Sequence, residues 1–186
     1  MARISENSPR YRKTEVLIED LKKVLNLDIH YGTKYAVLFE ILWIWTEFDG
    51  KYLGNPYWSE TALKTYFDRK NVTDFTYGKF LRHDHAVPRK IILDHLLDTK
   101  EINEEYIRNV FEKALVGVIL TKSEDADILK DKMPPPVDTK SIKDYSDTDK
   151  WARYKDLGIK IYQVKWEGKR IKTICGDPFS NIVDFK

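Results

Sequence analysis

The chain holds one cysteine, Cys175. An internal disulfide is therefore impossible, and a zinc site built on cysteines is excluded. Histidine is almost as scarce, with four residues. Charge of one sign is lacking too. The net charge is +2, so no global field draws phosphate, and any such attraction has to come from local clusters. No apolar run is long enough to cross a membrane, because the longest, residues 36–45, is short and interrupted by Glu40. With no leader-like opening either, the expected location is the cytoplasm.

What is present suits one domain, or one domain with an appendage: 186 residues, 42% hydrophobic and 33% charged. Three basic clusters stand out. Arg3, Arg10, Arg12 and Lys13 make an N-terminal arm. Lys79, Arg82, Arg89 and Lys90 surround a His-rich stretch, and Lys160, Lys165, Lys169, Arg170 and Lys172 fall near the C-terminus. A solvated surface is the ordinary reading of each.

Apolar periodicity predicts an amphipathic helix over 13–25 and a second over 32–48, buried on most of its surface and stopped at Asp49-Gly50. Gly54-Asn55-Pro56 reads as a turn. Tyr57 and Trp58 lead into Ser59, which suits the N-cap of a short helix over 60–67. The two aromatics are expected to close the core at the helix entry. Residues 71–79 read as a loop. A short strand over the His-rich stretch ends at Pro88, which also suits the first turn of a helix over 89–97. Another helix is expected over 103–115. The β-branched run 116–121 reads as a buried strand that passes at once into a helix with Ser123 as N-cap. Pro134-Pro135-Pro136 opens a polar linker to about Tyr145. A helix capped by Ser146 or Asp147 and stopped by Gly158 follows, then a β-hairpin turning at Glu167-Gly168.

Three of the four histidines lie in or just after the stretch Leu81-Arg82-His83-Asp84-His85-Ala86-Val87-Pro88. Asp is a hard oxygen ligand for a divalent cation, and a His with its ordinary pKa of about 6.5 accepts a proton from water at neutral pH. An Asp-His pair on a strand, a second strand and a helix opening with acidic residues together resemble the ββα-metal motif of the HNH nucleases, over residues 81–132. The resemblance implies His85 as general base. It implies Mg²⁺ or Mn²⁺ held by Asp84 and by Asp125 or Asp127, and Arg82 or Arg89 gripping the scissile phosphate. Asp125 lies in the first helical turn and ranks ahead of Asp127. The chain departs from the pattern in the long insertion between Asp84 and Asp125. It also shows no evident Asn to orient the His, for which Asn103 and Asn109 are the candidates.

Strand geometry adds a condition. Neighbours on a regular strand point to opposite faces, so Asp84 and His85 converge only where the strand ends or bulges. On an unbroken strand His83 and His85 share a face, which would suit a two-His transition-metal site, with His95 as a possible third member, or a hydrogen-bonded polar cluster.

The expected fold is α+β: a helical N-terminal subdomain over 1–75, a ββα-metal-like nuclease core over 76–135, and a linker, helix and β-hairpin over 136–186. The expected function is a metal-dependent endonuclease acting on DNA, in a restriction, defence or mobile-element setting. The alternative is a non-enzymatic module that binds protein or nucleic acid, with a structural His-Asp-His cluster.

Overall fold

The computed structural model of the chain describes residues 13–48, 50–69, 76–100, 102–128 and 130–176. Arg3, Arg10 and Arg12 of the basic arm, Asp49, most of the expected 71–79 loop and the last ten residues lie outside the described part. The fold is mixed α+β, with eight α-helices among the described residues and one five-stranded mixed sheet.

Helices α1 (Thr14–Asn26) and α2 (Tyr31–Thr46) pair at the N-terminal end, and α5 (Arg89–Asp98) and α6 (Glu104–Ala114) pack on them. Leu17, Ile18, Leu21, Leu38, Leu42, Ile92, Leu96, Ile107 and Phe111 interlock in the largest core cluster. Asn103 caps α6 by accepting from the Tyr106 N–H at 2.8 Å. Helix α2 is less enclosed than its composition predicts. Leu38, Ile41 and Leu42 are its only fully buried apolar residues, whereas Tyr31 and Val37 are open to solvent. Sixteen residues dominated by apolar side chains exceed what one contact face can absorb, and several of its rings are only partly covered.

The sheet runs β2-β3-β1-β4-β5, with β1 at Tyr57–Ser59, β2 at Leu81–His85, β3 at Gly117–Thr121, β4 at Ile161–Glu167 and β5 at Arg170–Cys175. Strand β1 is parallel to β3, and the other pairings are antiparallel. Periodicity over three residues is too short to reveal β1, yet it lies at the centre of the sheet. Trp58 is fully buried there, its indole N–H donating to the Asn55 carbonyl at 2.9 Å. Ser59 still caps α3 (Glu60–Arg69), accepting from the Ala62 N–H at 3.0 Å.

The two sheet faces carry separate clusters. Trp58, Leu81, Ile119 and Val164 face α3, whereas Val118, Leu120 and Ile161 face Trp151 and Tyr154. A short helix α4 (Tyr77–Phe80) feeds directly into β2. After β3 the chain turns at once into α7 (Lys122–Asp127), which packs on β2 and β3. The cap of α7 is Thr121 rather than Ser123. The Thr121 side chain accepts from the Glu124 N–H, and the Glu124 carboxylate accepts from the Thr121 N–H at 2.8 Å, a reciprocal capping box. The expected linker after Pro134 is also structured. Two short 3₁₀ turns put Val137, Ile142 and Tyr145 into the main core. The expected helix before Gly158 is a 3₁₀ turn followed by α8 (Ala152–Asp156).

Candidate functional site

Strand β2 keeps an unbroken antiparallel register with β3: Leu81 opposite Thr121, His83 opposite Ile119, Asp84 opposite Val118 and His85 opposite Gly117. There is no bulge at Asp84. His83 and His85 therefore share the face toward α2, their rings 5.1 Å apart and nearly perpendicular. Asp84 faces Tyr154 on the other side. The strand stops at His85, however, and β2 is an edge strand of the described sheet. Side chains from both faces meet around that end. Asp84 and His85 both line one cleft of about 180 Å³, together with Phe39, Pro88, Arg89, Lys90, Lys130, Asp131 and Arg153.

On the α2 side, His85 Nε2 lies 3.0 Å from Thr46 Oγ1, and the Thr46 hydroxyl donates to the Trp43 carbonyl at 3.1 Å. A hydroxyl has one proton. With that proton on the carbonyl, His85 Nε2 must carry the N–H, which leaves the lone pair on Nδ1. Burial holds His85 well below its usual pKa, and His83, Arg89 and Arg153 lower it further. His85 is neutral at pH 7. His83 is lowered to about 3, chiefly by burial and then by the Lys51 charge. Among the described residues neither His83 nitrogen makes a hydrogen bond of good geometry, although the Thr46 backbone opposes the fall, and Asn55 Nδ2 close by has no partner either.

On the opposite side, Asp84 Oδ2 accepts from the Tyr154 hydroxyl at 2.9 Å and lies 3.3 Å from Arg153 Nη1. The same Nη1 donates to the His85 carbonyl at 2.6 Å. One buried guanidinium thus holds both members of the Asp-His pair. Burial pushes the Asp84 carboxyl above its ordinary value. Arg153, Tyr154 and the His85 N–H oppose that rise, while the negative charge of Asp125 adds to it. Asp125 is half-buried in α7, and Lys130 pairs with it at 2.7 Å. Asp127 is exposed at the last position of that helix.

The two arginines part ways. Arg82 donates to the carbonyls of Gly78 and Leu81, at 2.9 and 3.1 Å, and is not among the cleft residues. Arg89 lies in the cleft, its guanidinium 3.7 Å from the centre of the Phe39 ring and 4.3 Å from that of Trp43. His95 is elsewhere, bound through Nε2 to the Tyr106 hydroxyl at 2.7 Å. Asn103 caps α6, and Asn109 lies along that helix. Among the described residues no group of three or more His, Cys, Asp or Glu side chains is placed to hold a metal ion.

Arg153 and Thr46 had no place in the sequence reading. Arg153 carried a faint signal, as a lone charge between Trp151-Ala152 and Tyr154. Thr46 carried none, since its role depends on α2 crossing the end of β2.

No family model, curated protein or solved structure matches the chain.

Proposed function

We propose that the protein is a metal-dependent phosphodiesterase, an endonuclease acting on DNA, with the end of β2 as its active centre. The observation that carries this reading is the shared cleft. Asp84 and His85 open onto one cavity beside Arg89, and the Asp125 charge bears on Asp84 from the helix that follows β3. In this reading β2, β3 and α7 form a ββα-metal-like centre, with the helices of 1–75 packed against it.

Asp84 and Asp125 are the residues that would hold Mg²⁺ or Mn²⁺. Tyr154 and Arg153 both engage Oδ2 of Asp84, so a cation would approach this carboxylate from the side of Oδ1. The cation would stabilise the charge that develops on the phosphate and its leaving oxygen. His85 Nδ1 takes the proton from the attacking water. Thr46 fixes the ring's tautomer, and the low pKa keeps the base unprotonated into mildly acidic solution. Arg89 meets a phosphate oxygen with a guanidinium already ordered on two rings.

One observation favours a second reading, a binding module without catalysis. No third acidic or His ligand joins the pair among the described residues, and His83 and His85 are packed into the interior. Plasmid nicking separates the two. The protein and its His85→Ala variant are incubated with supercoiled DNA in Mg²⁺, in Mn²⁺ and in EDTA. Nicking that requires both the metal and His85 supports the hydrolase. Retention of plasmid without cleavage in either metal supports the module.

A further inference from the structure

Helix α2 carries a row of rings that runs from its exposed start along the edge of the core and into the cleft. Tyr31 is 60% exposed, and Tyr35 and Phe39 are half-buried. A spacing of four puts them on one helix face. The ring centres of Tyr31 and Tyr35 are 6.0 Å apart, as are those of Tyr35 and Phe39. The Arg89 guanidinium follows, lying over Phe39.

The far end of the row is cationic. Arg89, Lys90, Lys130 and Arg153 line the cleft against two carboxylates, Asp84 and Asp131. Arg153 is committed to Asp84, Lys90 to Asp94 and Lys130 to Asp125. Arg89 makes no ion pair among the described residues, although its Nη1 donates to the Phe39 carbonyl at 3.5 Å. Aromatic rings that end at a guanidinium without a carboxylate partner repeat the chemistry of a polynucleotide, in which flat bases alternate with phosphates. In a duplex the bases follow one another at about 3.4 Å along each strand, and their faces are covered by neighbours. The face of a tyrosine ring therefore stacks only on a base released from such a stack.

We propose that α2 and the cleft form a track for an unpaired nucleic-acid strand. Bases lie against Tyr31 and Tyr35, and a backbone phosphate sits at Arg89, whose guanidinium covers Phe39. This inference rests on the hydrolase reading of the cleft and narrows its substrate to single-stranded or flapped chains.

Binding in EDTA tests it without any demand for cleavage. Fluorescence anisotropy compares a labelled single-stranded 20-mer of mixed sequence with the same 20-mer as a duplex, for the full chain and for Tyr31→Ala, Tyr31→Phe and the double variant Tyr31→Ala/Tyr35→Ala. The single strand is expected to bind about tenfold more tightly than the duplex. Tyr31→Ala should weaken the single strand about fivefold and leave the duplex unchanged, and the double variant should weaken it further. Tyr31→Phe keeps the ring and should bind as the parent does. Tyr31 is exposed, so its replacement does not threaten the fold, and circular dichroism checks the double variant. Equal or tighter duplex binding overturns the track. So does unchanged single-strand affinity in a folded double variant. A preserved single-strand preference without cleavage of the single-stranded 20-mer in Mg²⁺ or Mn²⁺ supports the track and overturns only the hydrolase.

Discussion

Arg153 donates to the backbone carbonyl of His85 at 2.6 Å, through the same Nη1 that faces Asp84. A residue of α8 thereby sets the position of a strand end 68 residues earlier in the chain. Arg153 is 2% exposed, so its charge and that of Asp84 persist only as a pair. Breaking a buried pair from one side leaves an uncompensated charge, at a cost of about 3 kcal/mol. Arg153→Met should lose about that much in urea denaturation. Asp84→Asn in the same background should recover part of it, because the amide leaves no charge unpaired. Strict additivity in the double-mutant cycle would show that the two side chains do not act together.

The two buried imidazoles set the pH dependence of stability. In the unfolded chain both take up protons near 6.5, whereas in the folded chain His83 does so only at about 3 and His85 well below 6.5. Their stabilising share is complete above pH 6.5 and falls as the pH drops toward the folded values, by about 1.4 kcal/mol per pH unit for each histidine. Asp84 works the other way. Its raised pKa means that the folded state binds its proton first, which offsets part of the loss at the acid end. Denaturation midpoints between pH 7 and 4.5 should fall steeply for the parent and less steeply for His83→Leu. Equal slopes for the two proteins would contradict the buried, neutral state of His83.

Gly117 lies opposite His85 and beneath His83. A Cβ there would run into His83 Nε2 and come within 2.9 Å of Asn55 Nδ2. The His83 ring is fixed edge-on against His85 and has no easy retreat. Gly117→Ala should therefore destabilise by about 2 kcal/mol, the usual cost of overpacking. Adding His83→Ala opens the space and should recover most of that loss. If Gly117→Ala is as stable as the parent, the crowding over this glycine is absent.

The sequence revealed the elements whose signal is local. The periodicity of α1 and α6, Pro88 before α5 and Gly168 in the last turn all report on their own neighbourhoods, and the structure agrees with each. It concealed what tertiary pairing creates. Tyr57–Ser59 has only three residues in which to show an alternation, and its place between β3 and β4 comes from partners 60 and more positions away. The stretch 137–145 looks polar because Val137, Ile142 and Tyr145 are diluted by charged neighbours, yet these three are the residues it buries. At the candidate site, Asp84 and His85 were readable as a pair. Alternation alone could not say whether they converge. The answer depends on β2 stopping at the sheet edge and on Arg153 and Thr46 arriving from opposite ends of the chain.

Within the proposed hydrolytic centre the candidate residues are not equivalent. Asp125 bears on Asp84, whereas Asp127 is exposed at the end of α7, and Arg89 lines the cleft that Arg82 does not reach. In a nicking assay with Mg²⁺, His85→Ala should lower the rate by about 10² or more, as expected for loss of a general base. Asp84→Asn and Asp125→Asn should each shift the Mg²⁺ dependence to higher concentration, and Asp127→Asn should not. Arg89→Gln should lower the rate more than Arg82→Gln. Because His85 stays unprotonated well below pH 6.5, the rate should remain flat from pH 7.5 to 6 rather than fall as it would with an exposed histidine. Equal effects of Asp125→Asn and Asp127→Asn, or a rate that halves near pH 6.5, would place the metal and the base elsewhere.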